Sequence, residues 1–165
     1  MRAKAFRFMA LVAAALCAAP GFAEVLVSFT DPHRFTDAGR GARQEGEVQR
    51  EIVLILQRLG QRHLSPEQKL KVEILDVDLA GNDRVLRGNE EVRVLRGGAD
   101  WPSIRLRYVL ESAAGKTEAG EDRLDDKSYL LQGSRGRSSE ALPHEKRLLE
   151  RWFMERIVER KPAQR

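Results

Sequence analysis

The apolar residues of this chain recur with two different periods, and the order in which these periods follow one another limits the fold. Residues 24–30 alternate between apolar and polar, with Val25, Val27 and Phe29 on one side, which predicts a β-strand. A helical period comes next, in one apolar stripe formed by Val48, Ile52, Ile55, Leu56 and Leu59. Residues 70–79 alternate again. The first half is therefore predicted to run strand, helix, strand, as a right-handed crossover between parallel strands.

The second alternating segment changes phase at its centre. Its apolar residues occupy even-numbered positions up to Ile74 and odd-numbered positions from Leu75 onward. A slip of one residue turns every later side chain to the other side of a sheet. We therefore predict either a β-bulge near Ile74 and Leu75 or a strand that passes from one environment to another. Residues 80–83 have the composition of a turn that ends this strand.

The second half of the chain contains the most regular alternation, at residues 104–110, after a weaker strand at 91–96. A hairpin turn is predicted at 114–115, and the polar segment 116–124 that follows is typical of an edge strand. Pro143 is well placed in the first turn of a final helix. The apolar stripe of this helix consists of Leu149, Trp152, Phe153 and Ile157. We expect the later strands to form an antiparallel meander.

These elements predict an α+β fold. We expect a two-layer sandwich in the order β-α-β-(β)-β-β-α, with a mixed or mostly antiparallel sheet and both helices on one face. Residues 24–160 are predicted to form a single domain, followed by a C-terminal tail at 161–165. Three connections exceed the usual loop length, and such loops are often functional or disordered. They span residues 31–45, 80–90 and 125–142.

Residues 1–23 are excluded from this fold because they have the three parts of a secretory signal peptide. A cationic start leads into an apolar run at 8–19 and then into a small-residue cleavage site that ends at Ala23. The run is shorter than the roughly 20 apolar residues of a membrane span. We predict cleavage after Ala23, export through the general secretory route, no transmembrane span in the mature chain, and a periplasmic location in preference to a fully secreted one.

Removal of residues 1–23 changes the chemistry open to the chain. Cys17 is its only cysteine, so disulfides, thiolate metal sites and cysteine nucleophiles are excluded from the remainder. Three of the four net positive charges lie in the same segment, which leaves the mature chain almost neutral. This balance argues against a nucleic-acid partner.

Asp76 and Asp78 form the most interesting pair of carboxylates. They lie two positions apart on a predicted strand and so point to the same side, and cations such as calcium or magnesium bind clustered carboxylate oxygens. Further carboxylates from the predicted loops are Asp31, Asp125 and Asp126. Two carboxylates fall short of the roughly 6–8 oxygens that calcium takes. A divalent-cation-binding protein or a metal-dependent hydrolase centred on Asp76 and Asp78 is therefore the alternative function.

No sequence motif assigns an enzyme activity. The chain lacks a Gly-x-Ser-x-Gly nucleophile motif, a phosphate-binding loop and a dinucleotide-binding fingerprint. Its three histidines lack the paired spacing of a zinc site. We therefore predict no cofactor and assign no catalytic residue.

Binding through one sheet face or through the long loops is the leading functional prediction. Arg105 and Arg107 share one side of a strand. Together they form either an anion-binding or partner-binding patch or an ordinary solvated surface whose positive charge is balanced by neighbouring glutamates. Trp101 lies just ahead of this strand, where it either marks a binding rim or packs over the end of the sheet. We expect a non-enzymatic module that binds an envelope protein or a ligand.

Several segments together resemble one protein family. They are Val-Ser-Phe-Thr-Asp-Pro at 27–32 with Phe-Thr-Asp at 35–37, Asp-Val-Asp-Leu-Ala-Gly at 76–81, Trp-Pro-Ser-Ile-Arg-Leu-Arg-Tyr at 101–108, Leu-Asp-Asp at 124–126 with Tyr-Leu at 129–130, and His-Glu-Lys-Arg-Leu-Leu at 144–149 with Trp-Phe at 152–153. In this order they resemble the secreted bacterial family catalogued as domain of unknown function 3016, over essentially the whole mature chain. The resemblance implies an export signal and a single domain. It implies no activity, cofactor or catalytic residue.

Overall fold

The computed structural model describes residues 23–85, 91–96, 98–112, 114–131 and 141–161. Its strands are β1 (Glu24–Phe29), β2 (Lys69–Asp78), β3 (Asn82–Val85), β4 (Glu91–Val94), β5 (Ser103–Glu111) and β6 (Thr117–Asp125). Its helices are α1 (Gly41–His63) and α2 (Pro143–Trp152), with a 3-10 turn at Pro32–Arg34 before α1 and a π-helical segment at Phe153–Val158 that continues α2. The fold is α+β, as the two apolar periods predict.

The main sheet contains four strands in the order β1-β2-β5-β6. β1 and β2 are parallel, and α1 joins them because a parallel pair needs a crossover connection that returns to the other end of the sheet. β5 pairs antiparallel with β2 on one side and with β6 on the other. The polar strand β6 lies at an edge of this sheet, as its sequence predicts.

A β-bulge lies in β2 at the position where the apolar phase changes. The pairing of β2 with β5 shifts register between Ile74 and Asp76. This shift lets Val77 pair with Ile104, and both remain fully buried. Because side chains alternate along a strand, Asp76 and Asp78 point to the opposite side of the sheet.

Both helices pack on one face of the main sheet, as predicted. Ile52 of α1 and Leu149 of α2 belong to the same buried cluster as Val72 of β2 and Leu106 of β5. All four side chains are almost completely buried. We call this side of the sheet the covered face.

Two expectations about the region before β5 are wrong. Residues 82–83, expected within a turn, begin β3, and β3 pairs with β4 in a separate two-stranded sheet. The later strands therefore do not form one meander. Arg93 of β4 gives the physical reason, because its guanidinium donates hydrogen bonds to the Ala80 and Gly81 carbonyl oxygens. These bonds tie the hairpin to the chain just after β2.

Two of the three predicted long connections are shorter in the structure, since β3 lies within residues 80–90. The third runs from the end of β6 at Asp125 to the start of α2 at Pro143, as predicted. α1 begins at Gly41, within the expected loop 31–45, and the Gln44 side chain accepts a hydrogen bond from the Arg40 amide ahead of the first turn. Residues 86–90 and 132–140 lie outside the described residues, as do most of the predicted signal peptide and the end of the predicted tail. No helix in the described ranges is long and apolar enough to cross a membrane.

Candidate functional site

The open face is the side of the main sheet that points away from both helices. Its side chains alternate with the buried ones along each strand. They include Leu26 and Ser28 of β1, Lys69, Lys71, Glu73, Asp76 and Asp78 of β2, Arg105, Arg107, Val109 and Glu111 of β5, and Glu121 and Arg123 of β6. Most of these residues are charged, so the open face is a polar surface interrupted by a few apolar side chains.

A groove of about 380 Å³ crosses the open face over β1, β2 and β5. The open-face side chains that line it are Leu26, Ser28, Lys71, Glu73, Arg107 and Val109. Leu26 is 49 % exposed and, together with the half-buried Val109, gives the groove an apolar centre. The volume lies within the range of small-molecule sites, about 300–1,000 Å³.

Ion pairs border this groove. Arg107 bridges two glutamates, with Nη1 3.1 Å from Glu73 and Nη2 3.2 Å from Glu121. Lys71 donates to Glu111 at 2.9 Å, and this hydrogen bond lowers the pKa of the Glu111 carboxyl. An apolar centre with a polar rim is the usual anatomy of a protein interface.

Two other arginines of the open face are arranged differently from Arg107. Arg105 of β5 lies directly opposite Arg123 of β6, and both side chains are exposed. Neither makes a hydrogen bond or an ion pair among the residues that the structure describes. On its other side, Arg105 pairs in register with Asp76. The sequence places Arg105 and Arg107 on one side of a strand, and of the two only Arg107 has hydrogen-bonded partners within the described ranges of the chain.

Asp76 and Asp78 lie on the same side of β2, as predicted, but their surroundings differ. Asp76 accepts hydrogen bonds from the Thr36 amide (2.8 Å) and the Thr36 hydroxyl (2.9 Å), so it fixes the loop before α1. Asp78 is half-buried, and burial raises the pKa of its carboxyl, with the negative charges of Asp37 and Asp76 acting in the same direction. The described residues contain no group of three or more His, Cys, Asp or Glu side chains able to hold a metal ion. The divalent-cation site stays a prediction.

Arg93 organises the carboxylates beside Asp78. It donates to Asp37 at 2.5 Å and to Asp83 at 3.2 Å, while Asp37 also accepts from the Gly39 amide. Asp37 forms an isolated parallel bridge with Asp78. The acidic residues at this end of the sheet are therefore arranged around Arg93, a role that no sequence pattern assigned to this arginine.

The three aspartates from the predicted loops have separate partners. The Asp31 carbonyl accepts from the Arg34 amide (2.8 Å), and the Asp125 carbonyl accepts from Arg151 (2.8 Å). Asp126 Oδ1 accepts from the Ser128 amide (3.0 Å). The structure does not bring these residues into one group with Asp76 and Asp78.

Trp101 is half-buried at the start of β5, next to the chain that follows β6. The Lys127 ammonium lies 5.3 Å from the centre of its ring, within the distance of a cation–π contact. Asp126 contributes to the same region, because its amide donates to the Pro102 carbonyl (3.3 Å). The side chain therefore packs near the end of the sheet, outside the groove lining.

The sequence profile of a family described as "Protein of unknown function (DUF3016)" matches residues 23–155. The chain belongs to this family. A comparison with curated proteins finds no match. The resemblance carried by the sequence segments is thereby confirmed. The matched region begins one residue before β1 and includes both helices, α1 and α2, and every strand that the structure describes in this DUF3016 protein.

Several segments that carry the DUF3016 resemblance meet at one end of the main sheet. Asp37 from the first segment bridges Asp78 from the second. The ring of Tyr129 contacts the ring of His144 edge-on, with the two centres 4.9 Å apart. The Asp126 amide donates to the Pro102 carbonyl, and the Ala80 amide donates to Glu145, so the five segments form one connected region.

Buried polar residues at this end were not identified from the sequence. The mixed charges of α2 are typical of a solvent-exposed helix face, yet Glu145 is 3 % exposed and accepts a hydrogen bond from the Ala80 amide at 2.8 Å. His144 is also buried, and its Nδ1 accepts a hydrogen bond from Arg147 at 2.8 Å. Burial lowers the pKa of His144, and the charge of Arg147 lowers it further. A helix start favours a carboxylate, which is the one sequence signal for Glu145.

Proposed function

We propose that this protein is an exported, non-enzymatic binding module that holds an extended segment of an envelope protein on its open face. The groove over β1, β2 and β5 carries this proposal. It combines an apolar centre at Leu26 and Val109 with charges of both signs from Lys71, Glu73 and Arg107. A segment with one large apolar side chain flanked by polar residues matches this arrangement, since apolar anchors supply affinity and rim charges supply specificity.

The ion pairs around the groove support a binding role in particular. Arg107 already has two carboxylate partners and Lys71 has one. Because these charges already neutralise one another in the free protein, a bound segment can cover them without leaving an unpaired charge buried. Because charges of both signs border the groove, a strongly charged ligand such as nucleic acid is disfavoured.

Export is supported by the three-part segment at residues 1–23 and by a family match that begins at residue 23. The test is to express the full chain in a Gram-negative bacterium, separate periplasm from cytoplasm, and measure the intact mass. We expect a periplasmic species that begins at Glu24. A full-length species that stays in the cytoplasm would refute export and would leave the groove proposal intact.

Binding at the groove is tested with a photocrosslinking amino acid at Leu26, activated in living cells. The matched control has the same amino acid at Arg58, an exposed position on α1. This helix packs on the covered face, so Arg58 lies on the opposite side of the sheet from the groove. We expect a discrete protein adduct from position 26 only, and we expect Ser28→Trp, which fills the groove, to remove it. Identical adducts from both positions, or an adduct that survives Ser28→Trp, would contradict the proposal.

A further inference from the structure

We infer that Arg105 and Arg123 form a binding site for a small oxyanion, a carboxylate or a phosphate group. The basic residues of the open face differ in whether they have carboxylate partners, and this difference leads to the site. Lys69 pairs with Glu24 at 3.1 Å, Lys71 pairs with Glu111 at 2.9 Å, and Arg107 pairs with two glutamates. Among the described residues, Arg105 and Arg123 make no such pair.

The register of the sheet brings these two arginines together. Arg105 and Arg123 are direct cross-strand partners in the β5–β6 hairpin, and such partners have Cβ atoms about 5 Å apart. Like charges at that separation destabilise a sheet. An oxyanion placed between the two guanidinium groups removes the repulsion and gains paired hydrogen bonds, because the planar donors of arginine match the oxygens of a carboxylate or phosphate.

The carboxylates around the pair limit the charge of the ligand. Asp76 lies opposite Arg105 on β2, but both of its oxygens accept hydrogen bonds from Thr36. Asp78 is half-buried and attracts Arg123 at longer range. Asp125 lies two residues from Arg123 along β6 and therefore on the same face. These negative charges would repel a long polyanion, whereas a single terminal oxyanion can approach from the solvent side. The site therefore fits a small anionic group better than a nucleic-acid backbone.

This inference is independent of the proposed groove function. Arg105 lies two residues from Arg107 along β5, about 7 Å at the rise of a β-strand, so the anion site lies beside the groove rather than within it. Small-anion binding can be measured whether or not the groove holds a protein segment. The two proposals can consequently fail separately.

The test is an NMR titration of the purified protein that follows the arginine Nε–H signals. The probes are inorganic phosphate, methyl phosphate and acetate, each added at constant ionic strength against sodium chloride. We expect saturable shifts of the Arg105 and Arg123 signals. Arg105→Gln and Arg123→Gln should each weaken binding by about tenfold, the equivalent of one charged hydrogen bond.

Arg58→Gln is the matched control, because it removes the same charge from an exposed position on α1, on the other side of the sheet. We expect it to leave the affinity unchanged. Saturation with both phosphates but not acetate would assign a phosphoryl ligand, and tighter binding of acetate than of methyl phosphate would assign a carboxylate. Shifts that grow linearly with every salt, or an equal loss of binding in Arg58→Gln, would overturn the inference. The backbone amide spectrum of each variant should match that of the wild type except for signals near the substituted residue, which verifies that the variant is folded.

Discussion

The two faces of the main sheet use the same kind of ion pair in different ways. On the covered face, Arg156 holds Asp122 with two hydrogen bonds, and the two side chains are only 14 % and 10 % exposed. On the open face, Arg107 holds Glu121, and Arg107 is 53 % exposed. Glu121 and Asp122 are neighbours in sequence, yet Asp122 is part of the packed interior and Glu121 is part of the solvent-exposed surface. Solvent access therefore decides what each ion pair can contribute.

The largest expected effect comes from removing the carboxylate on the covered face. Asp122→Ala deprives Arg156 of its partner and the Trp152 indole N–H of its acceptor at 3.0 Å. We expect a loss of about 3 kcal/mol in the free energy of unfolding, measured by urea denaturation, because both donors are left nearly buried. Glu121→Ala, the matched change on the open face, should cost less than about 1 kcal/mol. Equal losses would remove the distinction between the faces.

Two glycines of α1 provide a second contrast, between a position packed against the sheet and a position exposed to solvent. Gly60 lies against β1, and a Cβ at this position would overlap the Val25 side chain, whereas a Cβ at Gly46 meets nothing within 4 Å. Gly46→Ala should stabilise the protein by about 0.5–1 kcal/mol through helix propensity. Gly60→Ala should instead destabilise it by about 1–2 kcal/mol through overpacking. Thermal unfolding of the two variants checks the opposite signs.

The covered face is also the part that the sequence predicts well, since burial imposes a period on apolar residues. That period predicted both helices and the parallel crossover, and its change of phase after Ile74 allowed two interpretations, of which the structure shows the bulge. The open face has no such constraint. Arg105 and Arg107 are equivalent in the sequence, and only the register with β6 places Arg123 opposite one and Glu121 opposite the other. Buried Glu145 was missed for a similar reason, because its partner Ala80 lies 65 residues away.

The pH dependence of stability separates a buried histidine from an exposed one. The pKa of His144 is lowered from 6.5 by burial and by Arg147, against the opposing charges of Glu145 and Asp126. Below pH 6.5 the unfolded chain therefore binds a proton that the folded chain does not, and the free energy of unfolding falls as the pH is lowered. The contribution is complete above the unfolded pKa and is lost progressively toward the lower folded pKa.

Urea denaturation between pH 7 and pH 5 measures this slope. His144→Gln should remove it. His33→Gln should retain it, because His33 is exposed and pairs with Glu45 at the surface. A slope that depends on His33 and not on His144 would show that burial is not its cause.

Asp76 and Asp78 offer a smaller contrast, within a single strand. Asp76→Asn should lower stability by about 0.5–1.5 kcal/mol, because an amide provides one acceptor where Thr36 uses two. Asp78→Asn should give a slight rise at pH 7, because its carboxyl has a raised pKa and is disfavoured in the charged form. Melting temperatures with calcium, magnesium or chelator complete the test. A cation-dependent rise that both substitutions abolish would favour the metal site instead.

The smallest expected effect tests the repulsion between Arg105 and Arg123, which face one another across the open face. Arg123→Glu places a carboxylate directly opposite Arg105, so a like-charge pair becomes an opposite-charge pair. Cross-strand pairs of this kind contribute about 0.2–1 kcal/mol, and we expect a gain within that range at low salt. Arg107→Glu makes the reverse change, because it places a third carboxylate between Glu73 and Glu121, and it should destabilise the protein. The gain should shrink as salt screens exposed charges. If Arg123→Glu instead lowered stability at low salt, the wild-type arginines would not repel one another, and the free protein would have no excess positive charge for an oxyanion to neutralise.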